Sequence, residues 1–246
     1  AMTRIGLFAR SALFLFGEFL ITPPFALIAL LTFPFPPLTR YRIISEWSRL
    51  VVALAKVVLG IRYRVLGAEH IPNNPAVILS KHQSAWETIA FQAIFPPQVW
   101  VLKKELLRIP FFGWGLAMMS PIAVDRTSGR EALAQLVAQG KDRLDQGFFV
   151  VIFPEGTRVV PGERGHYRSG GALLALRSGR PVIPVAHNAG ELWKKNAFIK
   201  YPGTVTVSIG PPIAPGKLRP AELIHRVETW IESEMQLITG TAATKS

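Results

Sequence analysis

Short apolar runs alternate with helix-like segments along most of the chain after residue 60. The run at 148–153 is continuous and rich in β-branched and aromatic residues, which is typical of a strand buried on both faces of a sheet. The alternation of strands and helices predicts an α/β fold, in which a mixed, largely parallel sheet is flanked by helices. The predicted strands lie near 61–66, 76–81, 98–102, 121–124, 148–153, 181–186 and 204–209, and the predicted helices near 85–95, 113–119, 128–146, 170–178 and 219–236.

The most hydrophobic part of the chain lies near its N-terminus. Residues 7–21 carry only two charges, which predicts a helix, and a second apolar run covers 25–33. Pro23 and Pro24 separate the two runs, and because consecutive prolines remove amide donors, they predict a break in the helix. The first helix, at about 22 Å, is shorter than a hydrocarbon core of about 30 Å. Taken as one kinked unit, residues 11–33 just reach across such a core.

Arginines flank this apolar segment on both sides, with Arg4 and Arg10 before it and Arg40 and Arg42 after it. Because positive charge marks the cytoplasmic side of a membrane, the pattern favours both ends on that side. It predicts a membrane-associated helical hairpin that dips into one leaflet, with a single span as the alternative. A cleaved signal peptide is a third interpretation, although no small-x-small cleavage site follows the apolar run before Pro23.

A further helix is predicted at 43–59, where polar residues form a narrow stripe on an otherwise apolar surface. This helix either packs on the globular body or lies at a membrane interface with Trp47 as its anchor, and both can hold on different faces. The sequence therefore divides into membrane-anchoring helices over 1–59 and an α/β domain over 60–240.

Composition narrows the possible functions. With 28 Lys and Arg against 16 Asp and Glu, the chain carries a formal net charge of +12, yet only 18% of its residues are charged and 49% are hydrophobic. This composition excludes a disordered basic tail, and a sequence without cysteine has neither a disulfide framework nor a thiolate nucleophile. Basic charge on an apolar chain points to anionic lipid at least as readily as to nucleic acid.

Unusual polar residues follow five of the predicted strands. In open α/β folds, ligands bind at the edge of the sheet where the carboxyl ends of the parallel strands lie. We therefore expect a site at this edge, built from several of these clusters. The clusters are His82, Lys103 with Lys104, Asp125 with Arg126, residues 155–158, and His187 with Asn188.

His82 and Glu87 form a candidate catalytic pair. Five residues of straight helix turn about 140° past a full rotation, so the two side chains meet only if His82 lies in a loop before a helix that starts near Ser84. Glu87 then accepts the imidazole N–H and fixes its tautomer, while the free nitrogen takes a proton from a hydroxyl. The alternative is a capping box, in which Ser84 and Glu87 only close the start of the helix.

Two other roles for these residues are weaker. Ser84 is a poor candidate nucleophile, because a serine at a helix cap is usually occupied by backbone amides. A metal site built on His82 and Glu87 lacks an obvious third ligand.

The segment 153–158 predicts a strand followed by a tight loop that suits a phosphate group. Gly156 permits close approach of the backbone to a ligand, Arg158 offers a planar guanidinium, and Lys103 adds a point charge. For any one of these residues a solvated surface position is the alternative, so the interpretation depends on several cations meeting at one rim. The apolar segment 109–119 is either core or the wall of a groove for an acyl chain.

Four blocks follow one another along the chain, namely His82-x-x-x-x-Glu87, KKELLRIPFFGW from Lys103 to Trp114, FPEGTR from Phe153 to Arg158, and VIPV from Val182 to Val185. In this order they resemble the bacterial 1-acyl-glycerol-3-phosphate acyltransferase family. The resemblance covers roughly residues 60–215, and the apolar N-terminus is similar to the family's membrane anchor. The family's first block usually ends in aspartate, where this chain has Glu87, whose longer side chain still reaches the imidazole.

The resemblance implies a single acyltransferase domain that transfers a fatty acyl group from acyl-CoA or acyl carrier protein to the 2-hydroxyl of lysophosphatidic acid, forming phosphatidic acid. It implies direct attack without an acyl-enzyme, a cofactor or a metal, with His82 as general base and Glu87 orienting it. The expected location is the cytoplasmic face of the bacterial inner membrane, with membrane lipid as a partner and no nucleic acid. The residues implied to hold the substrate phosphate are Lys103, Glu155, Gly156, Thr157 and Arg158.

Two alternatives stay open from the sequence. One is a related acyltransferase with another lysolipid acceptor, which would not require a phosphate monoester. The other is a basic membrane-binding protein without catalysis, or a nucleic-acid binder. A nucleic-acid binder predicts a steep salt dependence of affinity, and few aromatic residues interleave with the basic clusters.

Overall fold

The computed structural model describes residues 3–110, 112–125 and 129–243. Within them lies a seven-stranded sheet, and each strand begins and ends within one residue of its predicted bounds. β2 and β5 are buried along their whole length, which explains their continuous apolar runs. The strands are β1 (Ile61–Leu66), β2 (Val77–Ser80), β3 (Gln98–Lys103), β4 (Ile122–Val124), β5 (Phe149–Ile152), β6 (Val182–His187) and β7 (Gly203–Ile209).

The strand order in the sheet is β1-β7-β6-β2-β5-β3-β4. β6, β2, β5, β3 and β4 run parallel, while β7 pairs antiparallel with β6 and parallel with β1. The predicted mixed, largely parallel sheet is thus confirmed. Because the five parallel strands end at one edge, the loops after β2, β5 and β6, which are adjacent strands, lie side by side there.

The helices predicted after residue 60 are also confirmed, and the last of them runs on beyond its predicted end. A short helix after β6 was not predicted. The helices are α1 (Arg4–Leu31), α2 (Pro37–Ile44), α3 (Glu46–Leu54), α4 (Trp86–Ile94), α5 (Phe112–Ala117), α6 (Gly129–Asp145), α7 (Gly170–Ser178), α8 (Ala189–Leu192) and α9 (Pro220–Ala243).

The helix α1 runs without interruption through Pro23 and Pro24, so the break predicted at these prolines is wrong. Both prolines lie on the exposed side of the helix. In the turn before them, the Thr22 hydroxyl donates to the carbonyl oxygen of Glu18 at 2.7 Å.

The chain reverses after α1, and α3 then packs antiparallel along it. The indole N–H of Trp47 donates to the Thr22 hydroxyl at 3.1 Å, and nearer the N-terminus the Arg10 guanidinium donates to the carbonyl oxygen of Val58. The predicted helical hairpin is therefore present, with its turn after Leu31 instead of at the prolines.

The single helix predicted at 43–59 is divided in the structure. α2 ends and α3 begins at Ser45, whose hydroxyl donates to the carbonyl oxygen of Arg42 at 3.2 Å, a local bond that bends helices. The last turn, Ala55–Leu59, is a π-helix that ends at Gly60 with φ of +71°. β1 begins directly after this turn.

Apolar cores lie on both faces of the sheet. Phe14 of α1 and Val51 of α3 are buried with Ile78 and Val205 in the core on one face, so the hairpin is joined to the sheet by apolar packing. The opposite side of α1 is exposed, and α1 is the one helix among the described residues that is long and apolar enough to cross a membrane. Its exposed large apolar residues are Ile5, Phe8, Leu13, Leu15, Phe16, Phe19, Leu20, Leu27, Ile28 and Leu31.

Candidate active site

The structure brings His82 and Glu87 together. His82 lies in the loop between β2 and α4, and Glu87 lies in the first turn of α4, with His82 Nδ1 2.9 Å from Glu87 Oε1. The imidazole stacks on the ring of Phe153, the residue directly after β5, with ring centroids 4.0 Å apart and 15° between the ring planes. Because β2 and β5 are adjacent, the base and its stacking partner follow neighbouring strand ends.

Glu87 both orients the histidine and closes the helix start. Its Oε1 accepts hydrogen bonds from the backbone N–H groups of Gln83 and Ser84, each at 2.8 Å, as well as from His82. The capping box and the catalytic pair, which the sequence presented as alternatives, are therefore the same set of contacts. One carboxylate oxygen fixes the loop backbone and the imidazole together.

Glu87 is fully buried and ionised. Burial is the largest influence and favours the neutral acid, but the hydrogen bonds from His82 and Ser84 oppose it, and the pKa of Glu87 lies below its ordinary value of 4.5. An ionised carboxylate only accepts hydrogen bonds, so His82 donates through Nδ1–H. Its Nε2 then carries the lone pair, and within the described part of the chain Nε2 makes no hydrogen bond.

The buried pair makes the stability of the protein depend on pH. A carboxyl group whose pKa is lower in the folded state stabilises the fold above its unfolded pKa, and this contribution is lost as the pH falls through the folded pKa. We expect the Tm of the wild-type protein to exceed that of Glu87→Gln at pH 7, with the difference shrinking as the pH falls from about 5 toward 3. Thermal unfolding in detergent across this range measures it, and a constant difference would contradict the lowered pKa.

A second histidine, His187, lies buried beside the His82–Glu87 pair. His187, at the end of β6, is fully buried, and its Nε2 donates to the carbonyl oxygen of Lys81 at 2.8 Å while its Nδ1 accepts from the Ala189 N–H at 3.3 Å. Burial lowers the pKa of His187, so it stays neutral and structural. The sequence predicts His187 at this edge of the sheet because it follows a predicted strand, but it assigns His187 no role.

The Ser84 hydroxyl is used for hydrogen bonds within the fold. Its hydroxyl donates to the carbonyl oxygen of Trp193 at 2.6 Å and accepts from the Trp86 N–H at 3.1 Å, and its side chain is buried. This geometry agrees with the sequence-based argument against Ser84 as a nucleophile.

The loop after β5 presents cations and a glycine next to the histidine loop. Gly156 has φ of +69°, which favours glycine, and Gly156 and Thr157 are exposed while Arg158 is partly exposed. The Val159 N–H donates to the carbonyl oxygen of His82 at 2.8 Å, which ties this loop to the candidate base.

Two cations that the sequence did not single out lie against this loop. A Cβ atom on Gly156 would lie 3.5 Å from Arg168 Nε, so the Arg168 guanidinium borders the loop. The Lys195 ammonium donates to the carbonyl oxygen of Arg158 at 3.2 Å. Neither residue belongs to a recognisable local motif, and both reach the loop from later segments of the chain.

Glu155 differs from its predicted role in holding phosphate. Its side chain is buried, and both carboxylate oxygens are used, Oε1 by the Lys81 ammonium at 2.8 Å and Oε2 by the His82 N–H at 3.0 Å. A carboxylate also repels a phosphate anion. The geometry therefore assigns Glu155 to the interior side of the loop and removes it from the phosphate-binding set.

Lys103 is exposed at the end of β3, on the far side of β5 from His82. Its neighbour Lys104 forms an ion pair with Asp125, so this cluster is partly neutralised. Arg126, which the sequence grouped with Asp125, lies outside the described residues. The described residues contain no group of three or more His, Asp or Glu arranged to hold a metal ion.

Comparison with known proteins places this site in a family. The family model described as "Acyltransferase" matches residues 62–188. The 1-acyl-sn-glycerol-3-phosphate acyltransferase of Pseudomonas aeruginosa is 49% identical over 204 residues, which cover 81% of this chain and 79% of that protein. The alpha enzyme of the same name from Mus musculus is 30% identical over 179 residues, covering 71% of this chain and 63% of that protein.

The fold also matches a solved structure. The crystal structure of the 1-acyl-sn-glycerophosphate (LPA) acyltransferase from Thermotoga maritima superposes on this chain with a TM-score of 0.79. The superposition covers 97% of this chain and 98% of that protein, and the two sequences are 22% identical. With the family match over the residues that carry His82, Glu87 and the loop after β5, the chain belongs to the acyltransferase family.

Proposed function

We propose that this protein transfers a fatty acyl group from an acyl thioester to the 2-hydroxyl of lysophosphatidic acid and so forms phosphatidic acid. The observation that carries the proposal is the His82–Glu87 pair, with Nε2 free and a buried carboxylate on Nδ1, beside a loop that presents cations. The Pseudomonas and mouse relatives bear the name of this activity, which supports the same assignment.

The reaction needs one base and no acyl-enzyme intermediate. His82 Nε2 takes the proton of the substrate hydroxyl as its oxygen attacks the thioester carbonyl. The tetrahedral intermediate collapses with cleavage of the C–S bond, and the imidazolium returns its proton to the departing thiolate. Glu87 stabilises the imidazolium in between, because its ionised carboxylate stays on Nδ1 throughout. No further cofactor enters this scheme.

The phosphate group of the acceptor is proposed to bind on the loop after β5. Gly156 allows close approach of the backbone, Thr157 supplies a hydroxyl, and Arg158 supplies a planar pair of donors, with Lys103 contributing charge from the end of β3. Because Val159 bonds to the His82 backbone, a phosphate held here lies at a fixed distance from the base.

Replacing Arg158 with alanine is expected to raise the KM for lysophosphatidic acid at least tenfold and to change kcat less than threefold. A hydrogen bond to a charged group contributes about 1.5–3 kcal/mol, and a bound phosphate keeps this contact from ground state to transition state. Steady-state kinetics with varied acceptor measure the effect. The matched control is Arg164→Ala, an exposed arginine nearby that pairs with Glu228, and an unchanged KM in Arg158→Ala would contradict the assignment.

An acceptor comparison tests the proposed substrate. We expect the rate with lysophosphatidic acid to exceed the rates with 1-acylglycerol and with lysophosphatidylcholine at least 100-fold, since only the first carries a phosphate monoester beside a free hydroxyl. Equal rates with the other acceptors would favour a related acyltransferase with another lysolipid substrate. The same assay with acyl-CoA and with acyl carrier protein measures the preference between the two thioester donors.

The protein is proposed to act at the cytoplasmic face of the bacterial inner membrane, because α1 exposes a continuous apolar face that is flanked by arginines. The ring of Phe198 stacks on Phe8 of α1, with centroids 4.8 Å apart, and extends this face onto the globular body. Membrane attachment places the site at the level of its lipid substrate and product.

Polar substitution on this face is expected to release the protein from membranes. Phe16, Phe19 and Leu27 are 59%, 71% and 61% exposed, so a triple change to serine removes apolar contact with lipid without opening the core. Burial of each such side chain contributes about 1.5–3 kcal/mol, and partition onto vesicles should fall more than tenfold. Leu237→Ser, at an equally exposed position of α9, serves as control. Co-sedimentation with vesicles measures both, and unchanged sedimentation of the triple variant would contradict the anchor.

A further inference from the structure

A lysine is buried directly beside the candidate base. The Lys81 side chain is 1% exposed, and its ammonium donates to Glu155 Oε1 at 2.8 Å, to Glu232 Oε1 at 2.9 Å and to the carbonyl oxygen of Glu163 at 3.2 Å. All three N–H donors are therefore used. We call Lys81, Glu155, Glu232 and Tyr167 the Lys81 cluster.

The Lys81 cluster is connected to His82 through Glu155. Glu155 Oε1 binds Lys81 and also accepts from the Gly165 N–H at 3.2 Å, while Oε2 accepts the N–H of His82 at 3.0 Å. An unbroken path of hydrogen bonds thus runs from Glu232 on α9 through Lys81 and Glu155 to the His82 backbone. The same carboxylate belongs to the loop that carries Arg158, so the cluster fixes the base and the phosphate loop to each other.

His82 is held at its ring and at its backbone by different partners. Glu87 fixes Nδ1, Phe153 fixes the face of the ring, and Glu155 fixes the amide. Contacts to the imidazole ring alone would leave the backbone of His82 free to shift. A base displaced by about 1 Å from a reacting hydroxyl can lose 100-fold in rate. The backbone bond is therefore part of the catalytic geometry.

The far end of the cluster is also fixed. The Tyr167 hydroxyl donates to Glu232 Oε1 at 2.7 Å, and burial together with the nearby carboxylates raises the pKa of Tyr167, so its hydroxyl stays protonated. Buried ion pairs contribute little net stability compared with apolar residues of the same size. A buried charge cluster against the catalytic loop therefore calls for an explanation other than folding energy.

We propose that Lys81 is a positioning residue that, through Glu155 and Glu232, holds the backbone of His82 in register with the phosphate loop and with α9. The proposal rests on the proposed function, in which His82 is the base. It predicts that the cluster affects kcat and leaves the binding of lysophosphatidic acid largely unchanged.

The test is the double variant Lys81→Met with Glu232→Gln in the full chain, purified in detergent. It removes one positive and one negative charge, so the charge of the cluster stays the same and Glu155 is not left beside a second unpaired carboxylate. The matched control is Arg164→Met with Glu228→Gln, which removes the ion pair one helical turn away on the same face of α9. Both variants are assayed 20 °C below their own Tm, next to wild type.

We expect kcat of the Lys81→Met/Glu232→Gln variant to fall at least tenfold, with the KM for lysophosphatidic acid within threefold, and the control to stay within twofold on both. The single variant Glu232→Gln, whose site is partly exposed, keeps the Lys81–Glu155 pair and should lose about threefold in kcat. It decides the role of α9 if the double variant does not fold. A kcat within twofold of wild type, a loss confined to KM, or an equal loss in the control would overturn the proposal.

A second readout does not depend on activity. In protein labelled with ¹⁵N-histidine, the downfield Nδ1–H proton of His82, assigned by its loss in His82→Ala, should be sharp in wild type and control and broadened in the Lys81→Met/Glu232→Gln variant. An unchanged signal would contradict the positioning role. If wild type fails to acylate lysophosphatidic acid, the proposed function fails, and this signal still decides the proposal for Lys81.

Discussion

Replacing His82 with alanine is expected to lower kcat by about a thousandfold. A general base contributes about 10²–10⁴-fold, and His82 is the side chain that combines a free nitrogen with a buried ionised partner at this edge of the sheet. Alanine removes the proton acceptor and leaves the phosphate loop in place. The KM for lysophosphatidic acid should therefore change less than threefold.

The kinetics of His82→Ala are compared with wild type only after the variant is shown to be folded. The His82 side chain contacts Glu87 and Phe153, so its removal is expected to lower the Tm by several degrees without unfolding the protein. Near-ultraviolet circular dichroism and the Tm in detergent establish that the variant is folded before its kinetics are compared. A folded His82→Ala protein that retains a tenth or more of the wild-type kcat would remove His82 from the mechanism.

Replacing Glu87 with glutamine is expected to lower kcat by about 100-fold. Glutamine keeps a carbonyl oxygen for the N–H groups of Gln83 and Ser84, so the helix start is preserved. It loses the negative charge that stabilises the imidazolium and that fixes His82 with its proton on Nδ1. If Glu87 only capped the helix, kcat would remain within threefold of wild type.

Glu87→Asp is the matched control, because it keeps the negative charge and shortens the side chain by one methylene group. We expect its kcat to stay within tenfold of wild type and above that of Glu87→Gln. Steady-state kinetics and the Tm are measured for both variants together. A Glu87→Asp protein as slow as Glu87→Gln would mean that side-chain length, and not charge, sets the rate.

The central strands could be predicted from sequence because they are short and buried on both faces of the sheet. β2, β5 and β6 are largely apolar runs with polar residues at or within three positions of their carboxyl ends, and this pattern locates both the strands and the functional edge. The His82–Glu87 pair could also be predicted, because its two residues are close in sequence and their contact depends only on where α4 begins.

Other features depend on contacts that no local pattern records. α1 continues through its exposed prolines, and α3 packs beside this part of the helix through the bond from Trp47 to Thr22. Glu155 looks like part of a phosphate loop, yet its role depends on Lys81, which lies 74 residues earlier. Glu232 reaches the same cluster from 151 residues away, and only the packing of α9 on the sheet brings it there.

The most direct test of the central claim is a quantitative product analysis of the wild-type protein with lysophosphatidic acid and a defined acyl thioester. We expect phosphatidic acid carrying the donor's acyl chain at the 2-position, one equivalent of free thiol per molecule formed, and no acylated protein in rapidly quenched samples. The same analysis of His82→Ala should show both products forming about a thousandfold more slowly. Acylated protein in the quenched wild-type reaction, or no phosphatidic acid with any thioester donor, would contradict direct transfer by the His82–Glu87 pair.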